Sequence, residues 1–152
     1  MFLPAATAEL AERLRTGASG DDVRLLGYVG DEVLACLYTA ATALVWPTFY
    51  EGFGLPPLEA LACGCPVIVS DVTSLPEVVG DAGVLLDPQD VAVWTAALRR
   101  MVEDAPWRAE WQRRGPVRAA RFSWARCAAL TRAAYERVLG GADGGPCEEP
   151  AR

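Results

Sequence analysis

The run PVIVSD at positions 66–71 sets three β-branched residues, Val67, Ile68 and Val69, side by side. A strand with one wet face alternates apolar and polar residues, so an unbroken branched run requires apolar cover on both faces. That cover comes from helices packed on each side of a parallel sheet. Neighbouring segments fit the same scheme. ALVWP at 43–47 and GVLLD at 83–87 read as further strands, and VRLLGYV at 23–29 as an earlier short one, giving about four. Helices are predicted between them: 6–15, with Leu10 and Leu14 on one face; DEVLACLYTAA at 31–41, with Asp31 as N-cap; PLEALACG, ending on Gly64; and a short turn in SLPEVVGD. From Asp90 the pattern is wholly helical, with segments over 90–104, about 106–121 and 123–139, the last capped by Ser123. The fold class is α/β, a parallel sheet flanked by helices and followed by C-terminal helices.

The 152 residues suit one domain, expected over 1–140, with a disordered tail over 141–152. The apolar content of 52% and charged content of 22% are those of a soluble globular protein. No stretch approaches the roughly 20 apolar residues of a membrane span. The N-terminal segment lacks the basic flank and apolar run of a signal peptide, and a cytoplasmic location is expected.

All 14 basic residues are arginine. With no lysine or histidine, the chain offers no histidine general base, Schiff-base lysine or histidine metal ligand. The five cysteines, Cys36, Cys63, Cys65, Cys127 and Cys147, are scattered and read as reduced thiols, so no metal site is expected. Charge is unevenly placed: residues 1–90 carry 13 acids and 3 arginines, residues 91–142 carry 4 acids and 10 arginines. The acidic first part argues against a nucleic-acid partner, and the arginines read as solvated helix faces. Nothing specific supports peripheral membrane contact.

The chemistry concentrates in TFYEGFGLPPLEALACG at 48–64, directly after the strand ALVWP. Ligands of open parallel sheets bind where strands end at their carboxyl side. A helix starting near Pro56 would aim its free amides and positive dipole end at Gly52, Phe53 and Gly54, a setting for an anion. The prolines take two donors away, leaving the amides of Phe53, Gly54 and Leu55. Glu51 lies beside that site and Glu59 in the first turns of the helix, where carboxylates can accept several hydrogen bonds from sugar hydroxyls. Glycoside hydrolysis by the same pair is disfavoured, because a hydrolase has no anion to hold.

The stretch EGFGLPPLE resembles the E-x7-E motif of retaining glycosyltransferases of the GT-B fold, GT4 class, in their Rossmann-like, nucleotide-sugar-binding C-terminal domain. VRLLGYVGDEVLACLYTAATALVWPT and GCPVIVSDVTSLPEVVGDAGVLLDPQD extend the likeness over roughly residues 8–140. The resemblance implies transfer of a sugar, hexosyl or similar, from a nucleotide diphosphate to an acceptor with retention. Glu51 would bind a donor-sugar hydroxyl and is the implied catalytic residue. Gly52, Phe53 and Gly54 would contact the sugar, the amides near Gly54 and Leu55 the diphosphate, and Glu59 the ribose. Gly27, Tyr28 and Val29 would line the base, and Glu77 stands where the family often has a glutamate. No metal or other cofactor is implied.

The resemblance also marks what this sequence lacks. Family members are roughly twice as long, with an N-terminal acceptor domain, and they carry two more strands ahead of the position matching Met1. Those strands supply an arginine and a lysine for the donor diphosphate; here Arg13, Arg15 and Arg24 precede the motif, none at the matching place. In the strand order 3-2-1-4-5-6 the two strands would be central, leaving VRLLG to pair with ALVWP or to expose an edge. The expectation is a donor-binding half truncated at its N-terminus. The alternatives are a non-catalytic donor-binding or relic fragment, or one subunit of a split enzyme whose N-terminal half acts in trans.

Overall fold

The computed structural model describes residue 24 and residues 26–140, and the chain divides into two compact units, Met1–Leu34 and Ala35–Arg152. The helix expected over 6–15 and the tail over 141–152 lie outside the described residues. In the first unit, residues 24 and 26–29 adopt no strand, contrary to the reading of VRLLGYV. A strand is stabilised by paired neighbours and covered faces, whereas Leu26 and Tyr28 are 58% and 85% exposed. Helix α1, Asp31–Ala40, starts one residue earlier than expected: Gly30 O accepts from Leu34 N, and Asp31 and Glu32 lie inside the first turn, where their charge suits the helix dipole.

The second unit is built on a three-stranded parallel sheet of β1 (Leu44–Trp46), β2 (Val67–Ser70) and β3 (Val84–Leu86), in that order. Registers are Leu44 with Val67 and Ile68 with Val84. The crossovers carry α2 (Leu55–Ala62) and α3 (Leu75–Val79), and α4 (Val91–Glu103), α5 (Ala105–Ala119) and α6 (Trp124–Leu139) follow. The sheet thus has three strands among the described residues and not about four. There β1 pairs with β2 alone, which makes it an edge strand.

The central strand β2 behaves as its composition requires. Val67 and Val69 join a core with Leu61 and Leu75, while Ile68 enters a second core with Trp94 and Met101. Alternation along one strand therefore feeds both layers. All three residues are fully buried, each contributing about 1.5–3 kcal/mol. Their neighbour Ser70 is as deeply buried, and its hydroxyl has no hydrogen-bond partner among the described residues.

The C-terminal helices are delimited by local signals. Asp90 Oδ1 accepts from the amides of Ala92 and Val93 at the start of α4, Asp104 Oδ1 from Trp107 N at α5, and Ser123 Oγ from Arg126 N at α6. The bond from Trp107, helped by Arg100, holds the Asp104 carboxyl below its ordinary range. Several arginines of α5 bind main-chain carbonyls. Arg108 donates to Met101 O and Val102 O at the end of α4, and Arg114 to Asp81 O.

Candidate functional site

Two segments meet at the carboxyl side of the sheet: the loop from Trp46 to Gly54, which leaves β1, and the turn Thr73–Ser74, which follows β2. Helix α2 opens at Leu55 with Pro56 and Pro57 in its first turn, and its N-cap Gly54 has φ 99° and ψ 47°. Only glycine takes that backbone readily. A Cβ there would lie 2.7 Å from Leu75 Cδ2 and 3.7 Å from Glu51 Cγ, so the missing side chain is also what lets the loop close onto α3.

Glu51 is held at both its main chain and its side chain. Thr73 Oγ1 accepts from Glu51 N at 3.1 Å and donates to Glu51 O at 2.8 Å. Ser74 Oγ shares its proton between Glu51 O at 3.1 Å and Phe53 O at 3.0 Å, and with its own backbone helical (φ −86°, ψ −16°) this N-cap residue makes no cap bond to α3. Thr73 has φ 48°, a left-handed backbone costly for a β-branched residue. On the side chain, Trp46 Nε1 donates to Oε2 and Gly52 N to Oε1, each at 3.1 Å.

The sequence reading gave the Gly52 amide to a ligand; in the structure it faces Glu51's own carboxylate. The amides of Phe53, Gly54 and Leu55 have no acceptor among the described residues. They form a short row of donors at the positive end of α2. Phe53 is anchored beside them, its ring 6.2 Å from that of Phe122 and nearly perpendicular to it.

Glu59 is exposed on α2. Its neighbour is Tyr38, whose phenol is pushed above its ordinary value by burial first and then by the nearby charge of the Glu59 carboxylate. Glu59 thus lies near the Tyr38 phenol and is exposed, with acceptor capacity facing water. Gly27, Tyr28 and Val29 belong to the first unit, and the contacts described above are all between second-unit residues. Among the described residues no cluster of three or more His, Cys, Asp or Glu could hold a metal, and no helix is long and apolar enough to cross a membrane. Sequence reasoning missed Trp46, Thr73 and Ser74. Ser74, just ahead of a Leu-Pro helix start, carried an N-cap signal, but nothing local pointed to Glu51 as its partner.

The class the fold defines is a parallel α/β layer domain with a glycine-proline helix start at the carboxyl side of its sheet. Residues 4–104 match the family described as glycosyl transferases group 1. The O-antigen chain mannosyltransferase B of Escherichia coli is 53% identical over 114 residues, covering 75% of this chain and 30% of that protein. The MMP alpha-(1->4)-mannosyltransferase of Mycolicibacterium hassiacum is 39% identical over 123 residues, covering 78% of this chain and 30% of that protein. Among solved structures, the sucrose-phosphate synthase of Thermosynechococcus elongatus superposes with a TM-score of 0.80 at 31% identity, over 91% of this chain and 35% of that one. The chain belongs to the glycosyl transferases group 1 family, as the resemblance implied. It spans about a third or less of the length of these three relatives.

Proposed function

We propose that this chain is the donor-binding part of a retaining glycosyltransferase acting on a nucleotide-diphosphate sugar. The observation that carries the reading is the row of amides at Phe53, Gly54 and Leu55, without acceptors among the described residues, set at a helix start beside the oriented carboxylate of Glu51. The amides suit the diphosphate. Glu51 accepts from a sugar hydroxyl, and Glu59 from the ribose. Mannosyl is the favoured group, since the two curated relatives compared above are named as mannosyltransferases. Binding proceeds without a metal or other cofactor on this reading, and the acceptor side is supplied by an N-terminal GT-B half, in the same polypeptide or in trans.

Calorimetric titration with GDP-mannose, UDP-glucose and ADP-glucose tests the proposal. Saturable binding of one of them, unchanged by EDTA and weakened at least about tenfold in Glu59→Ala, is the expected result; no binding of any removes the donor site. A second reading is a donor-binding module without transfer activity, in which charge on the leaving diphosphate, a large part of catalysis, goes unmet. Sugar transfer on adding an N-terminal GT-B domain would exclude it.

A further inference from the structure

We propose that Trp46 is a positioning residue, whose indole N–H orients the Glu51 carboxylate toward the hydroxyls of the bound sugar. The inference rests on the donor-binding reading and adds to it a determinant in the preceding strand. Trp46 closes β1, where its backbone registers with Val69, and its partly buried ring packs against the core formed with Leu61 and Leu75. The ring is therefore fixed by the sheet. Its Nε1 is 3.1 Å from Glu51 Oε2, and an indole nitrogen can only donate.

The geometry divides the work on Glu51. Thr73 and Ser74 fix its main chain, but a glutamate still has several rotatable side-chain bonds whose freedom would be lost on binding. Trp46 on Oε2 and Gly52 on Oε1 remove that freedom beforehand. They do not saturate the group. An ionised carboxylate has about four acceptor positions, and two of them are used, so each oxygen keeps one for a ligand. Two oxygens held in a fixed plane suit two adjacent hydroxyls, as a sugar ring presents. Replacement of Trp46 by phenylalanine removes the donor and keeps an aromatic ring, though a smaller one, against the core, so the loss specific to the sugar nucleotide is the readout.

The test uses the 152-residue chain and compares GDP-mannose, UDP-glucose and ADP-glucose with GDP, UDP and ADP by calorimetry. Trp46→Phe is expected to weaken the sugar nucleotide that binds by about tenfold, and its parent diphosphate by less than about twofold. Equal weakening of both would reduce Trp46 to a structural residue and overturn the proposal. In a Glu51→Ala background Trp46→Phe should add no further loss, because the residue acts through Glu51; full additivity overturns it as well. A third readout requires no ligand: the Trp46 indole N–H resonance, assigned by its disappearance in Trp46→Phe, should shift in Glu51→Ala. An unmoved resonance defeats the proposal while leaving donor binding intact, whereas an unmodified chain that binds no sugar nucleotide defeats both.

Discussion

The two ends of the short helix α3 are held in opposite ways. At its start, the hydroxyls of Thr73 and Ser74 grip the main chain of Glu51 and Phe53 over short, uncharged bonds, with Thr73 in a left-handed backbone. At its end, Arg118 reaches from α5 to donate to Val78 O at 3.0 Å and to Glu77 O. The guanidinium places positive charge against the negative end of the helix and stacks over the Phe122 ring. Each end also has a glycine where a side chain would collide: at Gly54 a Cβ would meet Leu75, the first residue of α3, and at Gly80 it would stand 2.9 Å from Arg118 Cζ. A long charged arm suits an end that only has to be stable. Short hydroxyls suit the end beside the acceptor-free amides, because they set the loop's geometry without placing a competing charge next to them.

If this contrast holds, substitutions at the two ends separate binding from stability. Gly54→Ala should have the largest effect: the strained backbone and the clash with Leu75 cost about 3 kcal/mol, and donor affinity in calorimetry falls by about a hundredfold or more. Near-normal binding by that variant would show that the loop tolerates another path. Arg118→Ala should lower stability in urea unfolding by about 2 kcal/mol and leave donor affinity within about twofold. Thr73→Ala should do the reverse, with about 1 kcal/mol lost and donor affinity down about tenfold. Equal profiles for these two variants would erase the distinction.

Smaller effects probe the surroundings. Ser70→Ala removes a buried hydroxyl without a partner and is expected to leave stability unchanged or raise it by up to about 1 kcal/mol, read from the thermal midpoint. Tyr38 gives a pH signature. Its folded-state value is raised above the ordinary 10.0, so its contribution is fully present below pH 10.0 and is lost as the pH rises through the folded value. Unfolding curves against pH should show this alkaline step in the unmodified chain and lose it in Tyr38→Phe. The step from Cys65, raised from 9.0 chiefly by burial, should persist.

The parts legible in the sequence were those encoded locally. PVIVSD specified a strand covered on both faces, and Val67, Ile68 and Val69 are indeed divided between two cores. GFGLPP marked a helix start that falls at Leu55, and Ser123 marked the start of α6. VRLLGYV misled because apolar content alone does not make a strand; Leu26 and Tyr28 face water and Val29 is half-buried. The arginines of the second half looked like a solvated face, yet Arg108, Arg114 and Arg118 bind carbonyls at the ends of other elements. Such bonds depend on where a helix packs, which periodicity does not report.

By itself the sequence determined the class of fold, the place of the glycine-proline helix start and the family, because strand composition, backbone freedom and helix signals act over a few adjacent residues. Only the tertiary structure decided how Glu51 is held and which amides remain without acceptors. Thr73 lies 22 positions from Glu51 and Arg118 lies 40 from Val78. A side-chain hydrogen bond forms only within about 3 Å, and it is the parallel sheet, by setting the ends of β1 and β2 side by side, that brings the Glu51 loop and the Thr73–Ser74 turn within that distance.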